Sequence, residues 1–211
     1  MINIPRIQLF SDILEYDQWK LIYDKENGSG FEFVGYGSPV RWEENAHSED
    51  PDFKFNKSYL ASEDDISGKR HGDLYKVSME TDIKQSVINS ILTNMLDDVH
   101  LYIEKSENKK LIRESGPWIT KMSKGDYMSM HCDGTFILNK NNVAEYSIIY
   151  YINDDYTGGE FNMPKMGFKL KPKANSILLF SNSFNENMAH EVTEVISGDR
   201  YISQSWYSTM L

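Results

Sequence analysis

The chain holds a single cysteine, Cys132, among 211 residues, which excludes any internal disulfide and leaves stability to a packed core. It has no apolar run long enough to cross a bilayer as a helix. Basic residues are few, 22 Lys and Arg against 32 Asp and Glu. The resulting formal net charge of −10 argues against a nucleic-acid or anionic-membrane partner, since phosphate recognition needs clustered cations. The opening Met-Ile-Asn-Ile-Pro has neither the basic nor the apolar region of a secretion signal, so a reducing cytoplasm is the expected location. No internal repeat and no low-complexity tract interrupts the chain.

What is there suits one domain, 1–211, with a sizeable core. A short strand is expected at 6–9, then a helix over about 11–25 that can bury Ile13, Leu14, Trp19, Leu21 and Ile22. From 28 to 72 the chain is polar and rich in Gly, Ser, Asp and Glu. A stretch so long and hydrophilic is expected to cover bound substrate, with Phe31, Tyr36, Arg41, Trp42, Phe53 and Tyr59 as its contacts. Between 81 and 104, Ile83, Val87, Ile88, Ile91, Leu92, Met95, Leu96, Val99 and Ile103 recur at helical spacing and predict a long amphipathic helix.

After Gly116-Pro117 the pattern changes to short β-rich runs at 118–122, 127–133, 146–153, 160–163, 168–171, 176–180, 190–196 and 200–207. Eight such strands, separated by turn signals such as Gly158-Gly159 and Ser197-Gly198-Asp199, suggest a jelly roll. The expected fold class is therefore α+β, with 1–116 as helical support and variable loop region and 117–211 as a double-stranded β-helix core.

Within that core, a strand over 127–133 would point Tyr127, Ser129, His131 and Asp133 to one face and Cys132 to the other. Joined by His190, the pair His131 and Asp133 would present two imidazoles and a carboxylate to one side of a divalent cation, the arrangement used by non-haem Fe(II) oxygenases. Arg200 follows His190 by ten residues and offers a planar fork for a carboxylate. If the last two strands form a hairpin with a three-residue loop at 197–199, Ile196 pairs with Arg200 and His190 with Trp206, and all four share one face. His47, His71 and His100 gain no comparable support from their surroundings.

Taken in order, His131-x-Asp133, Ser147-Ile-Ile-Tyr-Tyr-Ile-Asn153, Tyr156-Thr-Gly-Gly-Glu-Phe161, Leu170-Lys-Pro172, Ile177-Leu-Leu-Phe180, His190-Glu-Val192 and Gly198-Asp-Arg-Tyr201 with Trp206-Tyr207 resemble the catalytic core of 2-oxoglutarate/Fe(II) dioxygenases of the prolyl-4-hydroxylase type. The likeness covers about 118–207 and is strongest to small bacterial and phage-encoded members. It implies Fe(II) held by His131, Asp133 and His190, 2-oxoglutarate as co-substrate with its distal carboxylate on Arg200 and Tyr151, and ascorbate as a candidate reductant. Phe161, Val192 and Trp206 match positions that wall the co-substrate pocket. One departure is that Met122 stands where many relatives carry a tyrosine. Tyr127 is the residue expected to replace the missing hydroxyl.

The resemblance implies C–H hydroxylation coupled to decarboxylation of 2-oxoglutarate to succinate, acting on a prolyl or other side chain of a protein or peptide. An intact Asp133 argues against halogenation, which needs that ligand position free. Two alternatives stay open: a hydroxylase of a free amino acid or small metabolite, for which Arg41 or Lys57 would be the anchor, and a non-catalytic metal- or 2-oxoglutarate-binding module. The fold cannot choose the substrate.

Overall fold

The computed structural model describes residues 7–29, 38–42, 58–60, 73–76, 83–133, 137–139, 142–182 and 188–209. The amino-terminal part contributes β1 (Ile7–Ser11), α1 (Tyr16–Ile22), the small pair β2 (Tyr23–Asp24) and β3 (Gly28–Ser29), then β4 (Ser38–Trp42), β5 (Ser58–Leu60) and β6 (Asp73–Lys76). The long helix α2 (Ile83–Glu107) follows. It buries Ile88, Leu92, Met95, Leu96 and Ile103 along one stripe and stops at Asn108, whose φ of 50° is the left-handed conformation that ends helices and that asparagine tolerates. Glu104 then accepts the Leu111 amide at 2.9 Å and fixes the entry into β7 (Leu111–Met122).

The carboxy-terminal strands are β8 (Met128–His131), β9 (Ile137–Asn139), β10 (Asn142–Val143), β11 (Tyr146–Tyr151), β12 (Thr157–Gly158), β13 (Phe161–Met163), β14 (Phe168–Leu170), β15 (Ser176–Ser181), β16 (His190–Val192), β17 (Val195–Ser197) and β18 (Arg200–Thr209). Eight strands form the major sheet in the order β1-β15-β11-β18-β7-β6-β4-β5. Four form the minor sheet, β14-β13-β16-β8, with β12 and β17 paired beside each other. The fold is thus a jelly-roll core with helical support, as expected.

Alternation along β11 divides the interior in two. Ile148, Tyr150 and Ile152 join a cluster with Ile88, Leu92, Leu96 and Ile103 beneath the helices. Ile149 and Tyr151 point the other way, into a cluster with Met122, Phe161, Met163, Phe180, Val192 and Ile202 between the sheets. Tyr150 and Tyr151 therefore serve opposite layers, as their adjacency in a strand requires.

Several expectations need correction. Helix α1 begins at Tyr16, because residues up to Ser11 are drawn into β1 against β15. Leu14 is then held by Asn175, which accepts the Leu14 amide at 3.0 Å and donates to the Leu14 carbonyl at 2.8 Å. The first 116 residues are also more than helical support, since β1 extends one edge of the major sheet and β6, β4 and β5 extend the other.

The expected hairpin of the last two strands does not form. β16 pairs with β13 and β8, β17 pairs with β12, and β18 lies in the major sheet between β11 and β7. The turn at 197–199 carries the chain from one sheet to the other, and Ile196, expected to face inward with Arg200, is 62% exposed. Strand β8 spans only 128–131, so Asp133 lies past its end and Tyr127 before its start. A bulge between its pairings with β16 further breaks the assumed alternation. Most of the segment 28–72, including Phe31, Tyr36, Phe53 and Lys57, lies outside the described residues. No helix of the described residues is long and apolar enough to cross a membrane.

Candidate active site

His131 ends β8 and His190 opens β16, and the two are direct partners across the minor sheet, with ring centroids 4.2 Å apart. Asp133 reaches back beneath them. Its Oδ1 lies 3.4 Å from His131 Nε2 and 3.7 Å from His190 Nε2, and one ligand atom from each residue falls within 4.8 Å of the others. All three side chains are buried.

Neighbouring groups orient this set. His190 Nδ1 lies 3.1 Å from the Met188 carbonyl, an acceptor, so Nδ1 carries the proton and the Nε2 lone pair faces Asp133. Phe161 stacks on the His190 ring at 5.0 Å and Phe180 meets it edge-on at 5.0 Å. The Ser147 hydroxyl donates to Asp133 Oδ2 at 2.6 Å, and Asn182 Nδ2 donates to Ser147 Oγ at 2.7 Å. One carboxylate oxygen is thus occupied and the other is left to the imidazoles. Burial alone would raise the Asp133 carboxyl, but the two imidazoles and Ser147 outweigh it and hold it well below the usual carboxylate range. Burial, with the charge of His131, pushes His190 down to about 4. Two imidazoles and one carboxylate make a donor set suited to a divalent first-row metal.

Arg200 opens β18 opposite Met122 of β7 and is completely buried. Its Nη1 donates to Met122 Sδ at 3.3 Å, and its guanidinium carbon stands 5.5 Å from the Tyr151 ring centre. Nε and Nη2 have no hydrogen-bond partner, and no carboxylate of the described residues pairs with the charge. Burying an unpaired guanidinium costs several kcal/mol, an arrangement that makes sense for an incoming anion. Asn153 fixes both sides of Arg200: its Nδ2 donates to the Asp199 carbonyl at 2.8 Å and its Oδ1 accepts the Tyr201 amide at 2.8 Å. The residues present therefore fit both a divalent metal and a carboxylate ligand.

Residues 117–208 match the family model described as the 2OG-Fe(II) oxygenase superfamily. This core is a 2OG-Fe(II) oxygenase domain. The match covers the jelly-roll core, somewhat less than half of the chain. No curated protein matches the chain in sequence. Among solved structures it is similar to the viral collagen prolyl hydroxylase of Paramecium bursaria Chlorella virus-1, with a TM-score of 0.61, 12% identity, and coverage of 98% of this chain and 97% of that one. A Pseudomonas putida prolyl-4-hydroxylase gives 0.59, 12%, 98% and 94%. A Trichoplax adhaerens prolyl hydroxylase in complex with a hypoxia-inducible-factor peptide fragment gives 0.59, 13%, 98% and 85%. At such identities the likeness speaks for the fold.

In this core, His131, Asp133 and His190 are brought together, although not by the strand alternation and hairpin expected, and Arg200 stands over the Tyr151 ring. Phe161 stacks on His190, and its strand partner Val192 is buried beside it. Trp206 is half-buried opposite Ser147 across β18 and β11, on the face that bears Asp133's hydrogen-bond partner. Tyr127 is half-buried ahead of β8. Ser147, Asn153, Tyr156 and Phe180 stand in the motif strings above without an assigned role, and Asn182 lies outside those strings. Ser147 carried a readable signal, a polar residue at the inward parity of Tyr151 within an otherwise apolar and aromatic strand.

Proposed function

We propose that the protein hydroxylates a C–H bond of a prolyl or other side chain in a protein or peptide, holding Fe(II) through His131, Asp133 and His190. Arg200 and Tyr151 receive the distal carboxylate of 2-oxoglutarate. The observation that carries this reading is the pairing of a buried His-Asp-His cluster with a buried arginine whose Nε and Nη2 have no partner. A peptide substrate is supported by the peptide bound to the Trichoplax structure of similar fold.

Iron held there would supply the oxidising chemistry, one atom of oxygen going to the substrate hydroxyl and the other to succinate as 2-oxoglutarate loses carbon dioxide. The protein's own residues bind, orient and exclude water. Asn182 and Ser147 hold Asp133 so that Oδ1 points to the cation position. Phe161 and Phe180 fix the His190 ring and keep its surroundings dry. Asn153 sets the direction of Arg200.

The test is aerobic incubation with Fe(II), 2-oxoglutarate and either a library of proline-containing peptides or a mixture of free amino acids. Succinate formation and a peptide gaining one oxygen on a prolyl or neighbouring side chain are expected. Succinate with oxidation confined to free amino acids would replace the peptide reading by the metabolite one. No succinate from any mixture would remove the catalytic reading.

A further inference from the structure

Beside Arg200 lies a second hydroxyl that none of the roles above employs. Tyr156 is buried, and its hydroxyl has no hydrogen-bond partner. Arg200 Nε, Arg200 Nη2 and the Tyr151 hydroxyl are equally bare. A buried polar atom without a partner is costly, and four in one neighbourhood call for a ligand rather than an accident of packing.

Gly159 shows that the two side chains adjoin. A β-carbon placed there would come 2.9 Å from Arg200 Cδ and 3.0 Å from Tyr156 Cε2, so the guanidinium stem and the hydroxyl-bearing edge of the ring flank one glycine. The residue sits at a φ of 62°, where glycine is at ease, and its missing side chain is what lets them approach. Arginine geometry then fixes which edge is offered. Nη1 is turned onto the Met122 thioether, whereas Nε and Nη2 form the side-on fork that grips a carboxylate by two hydrogen bonds. Burial raises the Tyr156 hydroxyl above its ordinary value and outweighs the lowering by the adjacent Arg200 cation, so it stays protonated and able to donate.

We propose that Tyr156 is a ligand-binding residue of the co-substrate site, donating its hydroxyl to the distal carboxylate that Arg200 grips through Nε and Nη2, opposite the Tyr151 hydroxyl. The proposal rests on the 2-oxoglutarate reading given above. It makes the pocket selective for an anionic terminus, because a neutral end group would leave the buried fork and both hydroxyls unmatched.

Calorimetric binding to the Fe(II)-loaded protein without oxygen tests it, comparing wild type with Tyr156→Phe. The probes are 2-oxoglutarate and 2-oxobutyrate, which keeps the chelating end and lacks the distal carboxylate. Tyr156→Phe should weaken 2-oxoglutarate by about tenfold or more and leave 2-oxobutyrate unchanged. The ligand-free variant should melt no lower than wild type, since the lost hydroxyl had no partner. Unchanged 2-oxoglutarate affinity, equal weakening of both probes, or a lower melting temperature would each overturn the assignment. A wild-type protein that binds 2-oxobutyrate and 2-oxoglutarate equally would remove the Arg200 anchor and this inference together, whereas tight wild-type binding with an indifferent Tyr156→Phe removes only the latter.

Discussion

The Ser147 hydroxyl donates to Asp133 Oδ2 at 2.6 Å, joining the middle of the major sheet to the loop beyond β8. Both residues are buried, so the bond is shielded from water and holds the carboxylate in one orientation. Ser147→Ala should lower Fe(II) affinity by roughly 10- to 100-fold, the usual effect of removing a ligand's hydrogen-bond partner. Titration with Mn(II) or Co(II) measures this. Ser147→Thr keeps the hydroxyl and should restore most of the affinity.

His190→Ala should abolish metal binding and turnover while leaving the far-ultraviolet circular dichroism unchanged. The ring is enclosed by Phe161 and Phe180, so its loss leaves a cavity costing about 2–4 kcal/mol, visible in denaturant unfolding. Retained activity would remove His190 from the metal site.

Arg200→Leu removes the charge that would face the proposed carboxylate. The half-saturating 2-oxoglutarate concentration should rise by about 100-fold or more, a loss of about 3 kcal/mol, with Mn(II) binding unaltered. Ligand-free stability should hold or increase, because an apolar side chain replaces a buried cation without a counter-ion. An unchanged 2-oxoglutarate response would point to another anchor, with Lys169 and Lys171 the first to examine.

Gly159→Ala should damage the pocket without touching any ligand directly. The added methyl would press on Arg200 Cδ and Tyr156 Cε2 at about the distances a β-carbon cannot keep, at a φ that alanine also resists. A stability loss of about 1–3 kcal/mol and weaker 2-oxoglutarate binding are expected. Wild-type stability and affinity together would show that the turn relaxes freely.

Asn175 separates stability from chemistry. It takes a left-handed φ of 55°, accepts from the Leu14 amide and Tyr150 hydroxyl, and donates to the Leu14 carbonyl. Asn175→Ala should cost about 2–4 kcal/mol in denaturant unfolding, since three buried groups lose their partner. Metal and 2-oxoglutarate affinities measured at low temperature should match wild type. A site defect comparable to that of Arg200→Leu would mean that the amino-terminal segment shapes the pocket.

Local patterns alone located much of this protein. The recurrence of apolar residues from Ile83 to Ile103 predicted α2 because helical burial depends on spacing within one segment. The ordered strands after Pro117 and the opposed faces of Tyr150 and Tyr151 follow from period-two alternation, which is equally local. His131, Asp133, His190 and Arg200 were legible because their side-chain chemistry has few other uses in that order. Tertiary structure decided the rest. Whether 190–197 pairs with 200–207 is a competition among partners distant in sequence, and β11 and β7 won β18 while β13, β8 and β12 took β16 and β17. Ser147, Asn182 and Tyr156 are common residue types whose roles arise only when a strand more than ten positions away, or a turn forty positions from Arg200, is folded against them. Long-range register leaves no trace in local composition, so the identity of the chemical groups could be read along the chain, but the hydrogen bonds that orient them could not.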